Sequence, residues 1–255
     1  MKIMISPAKK MNVDTDSMPI VKLPIYLEET QILMAYLQGL TFREAKQLWG
    51  CNDKIAELNY QRFRQMDLKN GLTPAVLSYE GLQYQSMAPK VFEEKHWSYI
   101  NQNLRILSGF YGILGPSDGV VPYRLEMQAK VRLEGKVTCS NLYEFWGERL
   151  YRELVKEDDV ILNLASREYS RAVEPYLEDH IRYITCVFGN LATDKNGNKK
   201  IKVKATEAKM ARGEMVRFLA EHGVENPEEI RKFAGQGFHY DRELSDPANY
   251  IFIKE

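Results

Sequence analysis

Arg124 and Glu126 stand two residues apart in residues 107–127, LSGFYGILGPSDGVVPYRLEM, so extended backbone would point both side chains to one side. The stretch is dense in apolar and aromatic residues, and partly buried charges in such surroundings need a partner or a ligand. With Tyr123 beside them, the pair either pins a loop or lines a polar site. Lys9 and Lys10 follow a short apolar run that reads as a buried first strand ended at Pro7. Ligands of open α/β sheets collect beyond the carboxyl ends of strands, so this lysine pair suits an anion. Asn163, Ser166 and Tyr169 repeat the arrangement. Residues 160–165 read as a buried strand, Ser166 as the cap of a helix opening at Arg167, and all three side chains could hydrogen-bond a ligand in the cleft. Lys9 or Glu126 would be the base of an enzyme built there. Ser166 has no identifiable His and Asp partners, so no complete catalytic constellation is present.

A second group of residues suits phosphate. Between 195 and 217 there are eight Lys/Arg (Lys195, Lys199, Lys200, Lys202, Lys204, Lys209, Arg212, Arg217) against Glu207 and Glu214. Alternation from 200 to 204 sets Lys200, Lys202 and Lys204 on one strand face, and the helix after it carries Lys209, Arg212 and Arg217. This is the strongest phosphate-binding surface in the sequence, although lysines also protect sheet edges. Asp194–Asn198 is a hairpin turn; it mimics a calcium loop, but Lys199 occupies the glycine position.

Thr41 followed by Glu44 has capping-box form and opens a helix ending at Gly50; a second starts near Asn52 or Asp53 and carries Ile55, Ala56, Leu58 and Phe63. Residues 41–64 therefore resemble a helix-hairpin-helix. Gly50 and Ala56 fit the hairpin pattern, and Asn52 replaces its second glycine. N–H groups at the second helix start would hold a DNA phosphate without reading sequence, with charge added by Lys54, Arg62 and Arg64. A lone E-x-x-H, Glu93 and His96, falls in a helix expected over 89–102, but a di-iron site needs two such pairs and further carboxylates. No metal or cofactor is expected.

The elements that must position these residues alternate strand and helix through one domain, 1–255, without linker, repeat or boundary. The expected fold is mixed α/β (α+β), a central mixed sheet flanked by helices. Hydrophobic residues make up 44% and charged residues 27%, which excludes a disordered or membrane class. No run of ~18 apolar residues exists and the start lacks a cleavage site, so the expected location is the cytoplasm. Cys51, Cys139 and Cys186 are too scattered for a disulfide framework or zinc site. The 35 basic and 35 acidic residues cancel, so any nucleic-acid affinity must come from segregation of charge. Helices are further expected over 27–40 and 141–156, a strand at 137–139, and a hairpin from 237 to 253.

Five motifs, in order, carry a resemblance that runs from Met1 to about Ile253: ISPAKK (5–10), the 107–127 stretch, LYEFWG (142–147), NLASREY (163–169) and KMARG (209–213). Together they resemble the YaaA family of bacterial peroxide-stress proteins. The resemblance implies a single-domain fold peculiar to that family, with a positively charged cleft and a helix-hairpin-helix element. It further implies binding of double-stranded or structured DNA and protection during hydrogen peroxide stress, associated with lower free iron. The family often has a basic residue before the proline of GILGP, where this sequence has Gly115. The alternative read from the residues is an enzyme acting on a small anionic or nucleotide-like molecule in a cleft lined by Lys9, Arg124, Glu126, Ser166, Tyr169, Lys209 and Arg212.

Overall fold

Four buried residues in succession, KIMI, make β1 (Lys2–Ile5) a strand with no solvent face, as expected inside a parallel sheet. The computed structural model describes residues 1–135, 137–193 and 199–254. The other strands of the main sheet are β2 (Leu104–Ser108), β3 (Gly112–Leu114), β4 (Val160–Leu164), β5 (Arg182–Thr193), β6 (Lys199–Lys202), β7 (Phe238–Tyr240) and β8 (Asn249–Lys254). Among the described residues they form an eight-stranded sheet in the order β7-β8-β5-β4-β1-β2-β3, with β6 paired to the far part of β5. From β8 through β2 the pairings are parallel; β7, β6 and β3 are antiparallel additions. The fold is thus a mixed α/β domain with a central mixed sheet.

The connections from β1 set the important geometry. The chain leaves β1 for β2 on one side, and β4, β5 and β8 then step away on the other. The reversal lies between the carboxyl ends of β1 and β4, where an open sheet leaves a crevice between its outgoing connections.

Helices cover the sheet: α1 (Leu27–Gly39), α2 (Phe42–Trp49), α3 (Asp53–Arg64), α4 (Leu82–Met87), α5 (Glu94–Asn103), α6 (Leu142–Trp146), α7 (Arg149–Leu154), α8 (Arg167–Ser170) and α9 (Ala205–His222). Thr41 and Glu44 form the expected capping box on α2, and left-handed Gly50 ends that helix. The 107–127 stretch is buried apart from partly exposed Gly115, Pro122, Arg124 and Glu126, and two of its glycines explain why. Gly112 has φ +76 and lies against Trp146, while a Cβ on Gly109 would stand 2.6 Å from the Leu125 carbonyl oxygen. Residues 109 and 125 therefore cross in direct backbone contact, which holds the Arg124–Glu126 segment at the crevice.

Four local expectations need correction. Residues 141–156 form two helices, because Gly147 (φ 52, ψ −139) breaks the path between α6 and α7. Around 137–139, among the described residues, an isolated bridge from Leu133 to Cys139 stands in place of a strand. Glu93 precedes α5 rather than lying within the helix expected over 89–102, and its N–H is accepted by His96 Nδ1 at 3.1 Å. Ser166 occupies the N-cap of α8 without making a side-chain cap. The Asp194–Asn198 turn and Lys195 lie outside the described residues.

Candidate functional site

A cavity of about 350 Å³ opens at the crevice between β1 and β4. The end of β1 supplies Ser6, Pro7, Ala8, Lys9 and Lys10; the segment after β4 supplies Ser166, Glu168 and Tyr169. Tyr123, Arg124 and Glu126 form another wall, α4 brings Gln83 and Tyr84, and α9 brings Lys209 and Arg212. The two strand ends are stitched together: Ser6 Oγ accepts the Ser166 N–H at 2.8 Å and lies 3.2 Å from Ser166 Oγ. This explains why Ser166 does not cap its own helix. Asn163 does not line the cavity. Its amide donates to Thr185 Oγ1 (3.3 Å) and its oxygen accepts the Ala165 N–H (2.9 Å), so it shapes the strand end.

The charges divide into paired and unpaired. Glu126 bridges two cations, Lys9 at 2.7 Å and Arg124 at 3.0 Å. Lys10 is held by Glu80 at 2.8 Å. Glu168 accepts the Gln128 N–H at 3.3 Å and makes no ion pair among the described residues; burial, reinforced by Glu126, raises its carboxyl above the usual range. Arg212 has neither an ion pair nor a hydrogen bond among the described residues, and its Nε is buried without a partner. Burial alone works against its charge, pulling the guanidinium down from its ordinary value. Two further buried donors from the same lining lack partners, Arg124 Nε and Gln83 Nε2. A concave site holding unpartnered N–H donors and an unpaired guanidinium is built for an oxyanion.

Tyrosine hydroxyls surround it. Tyr123 OH bonds Ser108 Oγ (2.7 Å) and Tyr79 OH (2.8 Å), and burial raises its phenol to about 12. Tyr84 OH donates to the Ser6 carbonyl at 2.9 Å, and Tyr84 and Tyr169 are likewise pushed far up by burial. These phenols stay protonated at neutral pH and act as dipoles and walls, not bases.

Beyond the Lys9–Glu126 ion pair lies a larger groove of about 740 Å³, lined by both of those residues, Gln128, Lys130, Trp49 and Gly50. The α2–α3 turn therefore borders the same recess as the cavity. At that turn Asn52 spends its side chain on the Ile55 N–H (3.0 Å), and Lys46 pairs with Asp53 at 2.6 Å. Lys54 is exposed, Arg62 is half-buried against Asn59, and Arg64 lies over the Tyr60 ring. On the basic surface Lys204 is tied to Glu207 (2.9 Å) and Arg217 to Glu221 (2.7 Å). Lys200, Lys202 and Lys209 are exposed and make no ion pair among the described residues. Lys199 contributes to β6.

Sequence reasoning brought Lys9, Lys10, Tyr123, Arg124, Glu126, Ser166 and Tyr169 to one place, and the cavity contains all of them. It gave Lys209 and Arg212 to the basic surface in the DNA reading and to the cleft in the enzyme reading, and α9 brings both to this cavity. Ser6, Gln83, Tyr84 and Glu168 were missed. Ser6 and Glu168 lie inside motifs already singled out, ISPAKK and NLASREY; Gln83 and Tyr84 come from a six-residue helix with no pattern to mark them.

Comparison with known proteins places this geometry in a family. A family model described as "Peroxide stress protein YaaA" matches residues 1–244. A UPF0246 protein of Desulfitobacterium hafniense (strain Y51) is 51% identical over 254 residues, covering 100% of this chain and 98% of that protein. UPF0246 proteins of Lachnoclostridium phytofermentans and Pediococcus pentosaceus are 50% and 48% identical, each over 254 residues, with 100% of this chain and 96% and 98% of those proteins covered. No described helix is long and apolar enough to cross a membrane.

Proposed function

This chain belongs to the peroxide stress protein YaaA family, and from that membership we propose that it binds DNA during peroxide stress, through backbone phosphates and with little sequence selectivity. The binding would protect DNA in the cytoplasm and accompany a lowering of free iron. The observation that carries the reading is Arg212, a largely buried guanidinium with no anionic partner among the described residues. Lys209 stands one turn before it on α9, so both cations share a face. The groove beyond the cavity reaches Gly50 at the α2–α3 turn, which gives a backbone a path from the basic helix to the hairpin. Lys200 and Lys202 add exposed charge on β6.

The test is fluorescence-anisotropy binding of a labelled random duplex across a salt series. Affinity should fall steeply as salt rises, and Lys202→Glu with Lys204→Glu should weaken it and flatten the slope by about one for each phosphate no longer neutralised. A folded double variant that binds duplex like the wild type would remove this surface from the reading; no binding at low salt would remove DNA altogether. The carboxylates that face the cations across the cavity favour a second reading, an enzyme acting on a small anionic or nucleotide-like molecule, with Glu168 and Glu126 as its carboxylates.

A further inference from the structure

The cavity is bipolar. α9 and α4 bring it cationic and N–H donors, Arg212, Lys209 and Gln83, while α8 brings Glu168, which makes no ion pair among the described residues. The other interior carboxylate, Glu126, is already neutralised by Lys9 and Arg124. The charges acting most strongly on Glu168 are those of Glu126 and Lys9, so the Arg212 end of the cavity does not satisfy it. Each end thus lacks its complement. An oxyanion would supply the Arg212 end, and a group of N–H donors would supply the acceptor at Glu168.

We infer that the cavity is a binding site for a nucleoside monophosphate, its phosphate held by Arg212, Lys209 and Gln83 and the N–H edge of its base by Glu168. At about 350 Å³ the cavity falls at the small end of the ~300–1,000 Å³ typical of small-molecule sites, which suits a mononucleotide. Tyr84 and Tyr169 line it and offer ring surface to the base. The arginine fork matches a phosphate through two parallel N–H donors. A duplex phosphate reaching Arg212 from the outer groove would still leave the acceptor at Glu168 unmet, so the mononucleotide site goes beyond the phosphate-binding path. Both sites rest on Arg212 as an oxyanion residue.

Isothermal titration calorimetry with adenosine and guanosine 5′-monophosphate, ribose 5-phosphate and inorganic phosphate tests it, beside the duplex titration. At least one nucleotide should bind tenfold or more tightly than ribose 5-phosphate. Arg212→Met should weaken every phosphate-bearing ligand at least tenfold. Glu168→Gln keeps an acceptor for the Gln128 N–H and should shrink the advantage of nucleotide over ribose 5-phosphate at least threefold, leaving ribose 5-phosphate unchanged. Thermal melts confirm that each variant is folded. Nucleotides binding no better than inorganic phosphate, or an advantage untouched by Glu168→Gln, would overturn the inference. Duplex binding without mononucleotide binding would sink the inference and spare the DNA reading; the reverse result would do the opposite, and binding of neither would end both.

Discussion

Gly213 on α9 is where the site's geometry depends on one missing methyl group. A Cβ built there would press on the Gln83 carbonyl oxygen, with the Gln83 carbonyl carbon at 2.9 Å and the Met87 nitrogen at 3.0 Å. All three are backbone atoms of α4, which cannot rotate aside. Gly213→Ala therefore forces α9 and α4 apart, and the residues that move are Arg212 and Gln83, the unpartnered donors of the cavity. Overpacking costs ~1–3 kcal/mol, and rigid backbone puts this case at the upper end, ~3 kcal/mol. Alanine in place of glycine inside a helix returns ~1 kcal/mol, which leaves a net loss of about 2 kcal/mol. At ~2–4 °C per kcal/mol for a chain of this size, Tm should fall by roughly 4–8 °C.

Gly39, the last residue of α1, is the control: a Cβ there meets nothing within 4 Å and its φ is not left-handed. Gly39→Ala should be neutral or stabilising by up to ~1 kcal/mol. Thermal melts of both variants, followed by phosphate-ligand titration, make the comparison. If Gly213→Ala melts at or above the wild type, or binds oxyanions unchanged, close packing of α9 on α4 does not build this site.

Asp118 and Lys2 yield two further expectations. Burial raises the Asp118 carboxyl to about 6, against opposing pulls from the Gly115 N–H at 2.8 Å and from Lys22. Because the folded protein favours the neutral form, the stability from this group is full below the unfolded pKa of 3.8 and lost as pH rises through about 6. The wild type should gain about 1 kcal/mol from this group between pH 7 and pH 5, and urea unfolding of Asp118→Asn should show that gain removed. The Lys2 ammonium, 3% exposed, is held by Glu157 (3.0 Å), Asp158 (3.2 Å) and the Gln102 carbonyl (3.0 Å). Lys2→Met should cost roughly 1–3 kcal/mol in urea unfolding, since it strips a partner from a half-buried carboxylate and a carbonyl; an unchanged midpoint would show that the cluster is solvated.

Local signals were readable wherever one residue type forces one conformation. Thr41 with Glu44 announced α2, Asn52 capped α3, and the apolar runs at 2–5 and 160–164 gave β1 and β4. Gly147 misled, because a glycine inside an apolar helical pattern carries no sign of whether its φ will turn positive. The 137–139 strand failed for a related reason: β-branched residues mark a strand only when a partner is present to pair.

The two-residue spacing of Arg124 and Glu126 was enough to pair them, because extended backbone alternates its sides, and ISPAKK and NLASREY were enough to mark two strand ends. No spacing along the chain joins residues 6, 83, 124, 168 and 212. That meeting was decided by the parallel placement of β1 beside β4, which opens the crevice, and by the helix contact at Gly213, which lets α9 come close enough to lend its arginine. Local periodicity fixes how a segment folds and which face it buries; only the packing of distant segments, driven by burial of those faces, decides which charges end up sharing a cavity and which are left without a partner.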